Sequence, residues 1–96
     1  MTVYVISARN RMTTITVFSF DGADFIRVRT TLLTDDGKSA LNTKLDHGNP
    51  GYQALMQQRS YRGEMTLFGR HHDTHYAPLA NDQGALDGAI FVGFQR

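Results

Sequence analysis

The sequence predicts an α+β fold: an antiparallel five-stranded sheet with one short helix on one face, in the order strand, strand, helix, strand, strand, strand. Three observations carry that prediction. Apolar and β-branched residues recur mostly with period two, the signature of strands half-buried in a sheet. Asp-Gly and Asn-Asp-Gln-Gly clusters separate these runs at turn-like intervals. Only one stretch, opened by Asn49-Pro50, shows helical spacing. With 96 residues, 41% of them hydrophobic and 20% charged, the chain has room for one globular domain and a small core.

Thr2 to Ile6 are β-prone but have no assigned place. Thr13 to Phe20 (TTITVFSF) reads as the first strand, and Phe25 to Leu33 (FIRVRTTLL) as its hairpin partner. Asp21-Gly22-Ala23-Asp24 forms the turn between them, because glycine accepts positive φ. A second turn falls at Asp35-Asp36-Gly37-Lys38, and Ser39 to Gly48 has no clear period. Asn49 is placed to cap a helix from Pro50 to Arg59, with Pro50 at the first helical position, where its missing N–H costs nothing. Tyr52, Leu55 and Met56 give that helix its apolar stripe. Three strands follow: Glu64 to Gly69, His71 to Ala80, and Leu86 to Phe94 after the turn Asn81-Asp82-Gln83-Gly84. The last is apolar on both faces near its end, which predicts a central or well-covered position. The layout is PAS-like, with residues 1–12 a short N-terminal segment and 13–96 the domain proper.

Ten Lys and Arg against nine Asp and Glu leave a net charge of +1, too little to make nucleic acid the partner. There is no cysteine, hence no disulfide, thiolate nucleophile or Cys-ligated zinc. No apolar run spans a membrane, and residues 1–12 lack the apolar stretch of a signal peptide. The chain is therefore either cytoplasmic or a piece of something longer. No nucleophile elbow, Walker loop or dinucleotide fingerprint is present, so neither an enzyme nor a cofactor is expected. The carboxylates Asp21, Asp24, Asp35, Asp36 and Asp82 sit in turns, where such residues form Asx-turns more often than they do acid–base work.

The most unusual segment is His71-His72-Asp73-Thr74-His75-Tyr76. On a strand, His71, Asp73 and His75 share one face and His72, Thr74 and Tyr76 the other. The first set has the chemistry of a metal-ligand comb, but His47 is the only other histidine, and a solvated strand face is the commoner reading. The second set points toward the helix, where its polar tips can satisfy one another, a buried water or a small polar ligand. Arg27 and Arg29 are expected on the face of Phe25, where a guanidinium fork suits a carboxylate. Surface charge is again the commoner reading. The six phenylalanines, Phe18, Phe20, Phe25, Phe68, Phe91 and Phe94, are expected in the core.

The run of motifs over roughly residues 14 to 94 resembles the single-Cache extracellular sensor domains of bacterial methyl-accepting chemotaxis receptors, the Cache 3/Cache 2 fusion group in particular. The resemblance rests on the hairpin Val17-Phe18 to Asp24-Phe25-Ile26-Arg27-Val28 with Thr30, on Asp36-Gly37, and on Leu45-Asp46 with Pro50 and Tyr52. It continues through Tyr61-Arg62-Gly63, Thr66-Leu67-Phe68-Gly69, Thr74 with Tyr76 and Pro78, and Gly88 with Phe91-Val92-Gly93. It implies a PAS-like sheet with a ligand pocket on one face. It also implies a place on the periplasmic or extracellular side of the inner membrane, between flanking membrane helices of a longer receptor. Homodimers and small organic acid ligands, contacted here by Arg27, Tyr61, His72, His75 and Tyr76, are further implications of the resemblance.

The chain departs from the pattern in three ways. Residues 1–12 stand where the family has a long helix, and Asn42 stands where it usually has glycine, which Asn can replace because it also visits positive φ. His72 and His75 replace a frequent Tyr and a frequent Lys or Arg, which ties carboxylate recognition to histidine protonation. The alternatives are a truncated or degenerate Cache fold without ligand, and a metal-binding module using His71, Asp73 and His75.

Overall fold

The computed structural model describes residues 13–95. The expectation for Thr2 to Ile6, and the segment 1–12 as a whole, lie outside the described residues. Five strands form one sheet: β1 (Thr13–Phe20), β2 (Phe25–Thr30), β3 (Tyr61–Leu67), β4 (Arg70–Ala80) and β5 (Leu86–Gln95). Their order is β2-β1-β5-β4-β3, every neighbouring pair is antiparallel, and one helix, α1 (Pro50–Met56), packs against β3 and β4. This is the α+β, PAS-like layout expected, with β5 at the centre.

Local chemistry accounts for the connections. The Asp21 carboxylate accepts from the Ala23 and Asp24 amides at 2.9 and 2.7 Å, an Asx-turn that closes the β1–β2 hairpin. The Asn81 side chain does the same for Gln83 and Ala85 between β4 and β5. Asn49 caps α1 by accepting from the Gly51 amide at 2.7 Å, with Pro50 in the first turn. The helix ends at Met56 rather than Arg59, because Gln58 turns left-handed at φ 56 and the Gln57 and Arg59 amides both close on Ala54 O.

The sheet differs from the expectation at β2 and at β3, which runs Tyr61–Leu67 rather than Glu64 to Gly69, with Phe68-Gly69 in the turn that follows. The β1–β2 register shifts between Val17, opposite Arg29, and Phe18, opposite Arg27, so Val28 is an extra residue in β2. That bulge reverses the strand's facing: Phe25, Arg27 and then Thr30 look inward, and the Thr30 hydroxyl meets that of Thr16 at 2.6 Å. Arg27 and Arg29 therefore do not share a face; Arg27 is buried and Arg29 exposed. β2 also stops at Thr30, not Leu33, because the chain turns into a loop tied by a Leu33–Ser39 bridge. The segment without clear period returns along the outer edge of β2. There Arg27 and Leu45 donate to Thr43 and Phe25 carbonyls at 2.9 Å, and Asn42, at φ 69, donates to Arg27 O at 2.7 Å.

The core lies between the inner sheet face, α1 and this returning segment. Phe18, Phe25, Tyr76, Phe91, Leu45 and Leu55 are buried there, with Phe25 edge-on to Phe18 and Tyr52. Not all six phenylalanines belong to it. Phe94 is 45% exposed, because inward positions on β5 are Ala89, Phe91 and Gly93, and period two sends Phe94 to the outer face with Ile90 and Val92. Phe20 and Phe68 are only partly buried.

Candidate functional site

On the inner side, a cleft of about 310 Å³ opens between β2, the β3–β4 turn and the segment leading into α1. Arg27 lines it, as do Lys44, Asp46, Asn49, Met65 and Phe68. Arg27 is 3% exposed. Its Nη1 donates to Thr43 Oγ1 at 3.0 Å and to Lys44 O at 3.2 Å, while its Nε is buried with no partner. The guanidinium lies between two rings, 5.2 Å from the Phe18 centroid and 5.4 Å from that of Phe68. Burial pulls its pKa below the ordinary arginine value, yet arginine stays charged in proteins. No ion pair among the described residues includes it. A buried cation without an anion is costly, and a guanidinium fork is suited to a carboxylate or a similar pair of acceptors.

The Phe68 ring reaches Arg27 through an unusual turn. Phe68 and Gly69 both take positive φ, 49 and 79, and join β3 to β4 as a two-residue hairpin. A phenylalanine at positive φ is sterically disfavoured, so the strain is held where the side chain roofs the guanidinium.

The far wall of the cleft begins with the helix cap. The Asn49 amide nitrogen donates to the Met65 sulfur at 3.2 Å and to the Tyr76 hydroxyl at 3.4 Å. Tyr76 is fully buried behind these residues, and Gly51 lets the helix approach it: a Cβ there would lie 2.8 Å from the ring. Burial pushes the Tyr76 hydroxyl up to about 12, against the lowering effect of Asn49. The phenol is therefore a neutral donor at any physiological pH. Because its folded pKa exceeds the unfolded value of 10.0, Tyr76 contributes stability that is complete below pH 10 and lost as pH rises toward 12. A spectrophotometric titration should show a tyrosine ionising only near pH 12 and a Tyr76→Phe variant lacking that step. Ionisation of Tyr76 near pH 10 would contradict this packing.

The outer lip is tied down separately. His47 Nε2 meets Asp24 Oδ1 at 2.7 Å, its ring stacks on Tyr52 at 4.1 Å, and Lys44 pairs with Asp24 at 3.3 Å. The His47 bond, with help from Lys44, holds the Asp24 carboxyl below its usual range. These contacts join the β1–β2 turn to the segment that forms the mouth of the cleft.

The five ligand contacts expected from sequence do not converge. Arg27 lines the cleft; Tyr76 stands behind it, in contact with Asn49 and Met65; Tyr61 is half-buried with its ring 6.3 Å from that of Tyr76. His72 is inward but farther along β4, in a small pocket that shares no lining residue with the cleft. His75 is on the outer face with Arg62, Asp73, Val92 and Phe94, because strand residues of odd and even number point apart. His71, Asp73 and His75 do share that outer face. The outer two are about 13 Å apart along the strand, and ligands of one ion must come far closer. His71 is bonded to Glu64 at 3.2 Å, and His75 pairs across the sheet with Arg62. No group of three or more His, Cys, Asp or Glu among the described residues could hold a metal ion.

Sequence reasoning missed Phe68, Lys44, Met65 and the second role of Asn49. Phe68-Gly69 was a legible turn signal, since a Gly-containing pair between strands is the mark of a tight hairpin. Lys44 comes from the returning segment, Asn49 from the helix cap and Met65 from β3, and only the packed fold brings them to one cleft with Arg27. Among the described residues, no helix is long and apolar enough to cross a membrane.

The family model described as the Cache 3/Cache 2 fusion domain matches residues 9–96. No curated protein matches the chain.

Proposed function

The chain belongs to the Cache 3/Cache 2 fusion domain family, a family of extracellular sensor modules for small molecules, and from that premise we propose that it senses a small organic acid, held by its carboxylate at Arg27. The observation that carries this reading is the Arg27 guanidinium: buried, roofed by Phe68, unpaired with any described carboxylate, and lining a cleft. The cleft's volume of about 310 Å³ is at the small end of ligand pockets, which favours short acids over large ligands. Met65 and Phe68 supply apolar wall.

In this reading the domain is the periplasmic or extracellular part of a transmembrane chemoreceptor. An acid that draws Arg27, the Lys44–Pro50 segment and the Phe68 turn together favours the closed shape by its differential affinity, and that bias is the signal. Catalysis has no part in it: Cache domains are sensors.

The test is thermal denaturation of the folded domain with a panel of short mono- and dicarboxylates. A cognate acid at a hundred times its Kd stabilises by about 2.7 kcal/mol, which in a domain this size raises Tm by roughly 10–20 °C. If no acid in the panel raises Tm, or if the same acid stabilises an Arg27→Met variant equally, the reading fails.

A further inference from the structure

We infer that the open edge of the sheet joins a second copy of this chain, β3 against β3 in antiparallel register about Gly63. The two edge strands are β2 and β3. The outer edge of β2 is taken by the returning segment, through the Arg27 and Leu45 amides and the Ile26–Lys44 bridge. The main chain of β3 pairs only with β4 among the described residues. An edge left in this state is a template for another strand.

The hairpin turn fixes which main-chain groups face outward. Across the two-residue turn Phe68-Gly69, Leu67 and Arg70 exchange both of their hydrogen bonds, and such pairs alternate along an antiparallel ladder. Tyr61, Gly63, Met65 and Leu67 therefore turn their N–H and C=O groups toward β4, and the Thr74 hydroxyl donates to Gly63 O at 2.7 Å. Arg62, Glu64 and Thr66 turn theirs to the open edge, with exposed side chains on the outer face. Only registers that set these residues opposite one another bond two copies. A two-fold axis at Gly63 places Arg62 opposite the partner's Glu64, and Glu64 opposite the partner's Arg62. An axis at Arg62 or at Glu64 sets like charges face to face, and one at Met65 carries Arg62 past the end of the partner's strand. Charge complementarity thus selects a second copy, in one register. Within one protomer Glu64 stands opposite Asp73 of β4, a like-charge pair, and bonds His71 at 3.2 Å. The partner's Arg62 sets a permanent cation on its other side. Gly63 puts no side chain at the axis; the Tyr61 hydroxyl occupies that space, 2.5 Å from where a Cβ would lie.

About four main-chain hydrogen bonds and rim ion pairs make a small contact, so the expected Kd is on the order of 10–100 µM. Sedimentation equilibrium of the whole chain up to about 1 mM, at low ionic strength, should show monomer and dimer. Amide exchange followed by NMR should slow several-fold at Arg62 and Glu64 as concentration rises. The Gly63 and Met65 amides, already bonded to β4, should change little. Arg62→Glu and Glu64→Arg should each be monomeric, and their equimolar mixture should dimerise again, because each like-charged edge then meets its opposite. Both positions are exposed, and circular dichroism checks that each variant is folded. The inference is overturned if the parent stays monomeric to about 1 mM, or if the two folded variants fail to associate when mixed. A dimer that leaves the Arg62 and Glu64 amides unchanged, or that Arg62→Glu does not weaken, overturns it by placing the contact on another face. A monomer with those two amides already slow overturns it as well, since part of the same chain would then cover the edge.

Discussion

Replacing Arg27 with methionine should leave the domain folded, with a Tm within a few degrees of the parent or above it, while lowering affinity for the cognate acid by about thirty-fold or more. Both halves follow from the same fact. In the ligand-free protein the guanidinium is nine-tenths or more out of water, with Nε unsatisfied and no carboxylate partner among the described residues. Replacing a buried charge with an apolar side chain of similar length is often neutral or stabilising. The losses are two hydrogen bonds to Thr43 and Lys44 and the contact with two rings. In the bound protein the same change leaves a carboxylate buried without its cation, at a cost of about 2–5 kcal/mol. Arg27→Lys separates charge from geometry: it keeps the cation but not the bidentate fork, and should bind more weakly than the parent. Calorimetric titration and denaturation of the three proteins decide the matter. If Arg27→Met unfolds the domain, Arg27 is a structural residue, and the ligand must be sought elsewhere.

Gly88→Ala should be the most damaging single methyl in the chain. Gly88 pairs with Ser19 in the β1–β5 ladder, and a Cβ there would lie 2.3 Å from the Phe18 carbonyl oxygen. That oxygen is backbone in the sheet's interior and cannot step aside without parting the two strands. Overpacking commonly costs about 1–3 kcal/mol when side chains can yield. Here the obstacle is main chain, so a loss of about 3 kcal/mol or more is expected, a large share of the stability of a domain this small. Gly84→Ala is the control: nothing lies within 4 Å, and its φ of 80 costs only the backbone preference, about 1 kcal/mol. Denaturant titration should therefore place Gly88→Ala well below Gly84→Ala. Equal losses would mean the strands approach differently from the arrangement described.

The parts of this domain that were legible in the chain are those set by neighbouring residues. Asp21-Gly22 and Asn81 to Gly84 close their hairpins with their own side chains, and Asn49-Pro50 starts the helix with its own cap. Period two then assigned the strands and put β5, apolar on both faces, in the middle of the sheet. The motif run identified the family. Arg27 was read beside Arg29 as a guanidinium fork or, more commonly, as surface charge; the structure buries it.

What the sequence could not settle was which residues meet. Alternation says that His72 and His75 point apart, but only the packed sheet says which of them is inside. One extra residue at Val28 sent Arg29 outward while Arg27 stayed in, and a bulge leaves no pattern that period two can detect. Lys44, Asn49, Met65 and Phe68 line one cleft with Arg27 from four separate places in the chain, across sequence distances that no local rule spans. The sequence by itself determined the elements, their turns and the family, because those follow from short-range sterics, capping and a recurring pattern. The tertiary structure alone decided that Arg27 would be a buried cation with no carboxylate partner among the described residues, because burial belongs to the assembled layers and not to any residue in them.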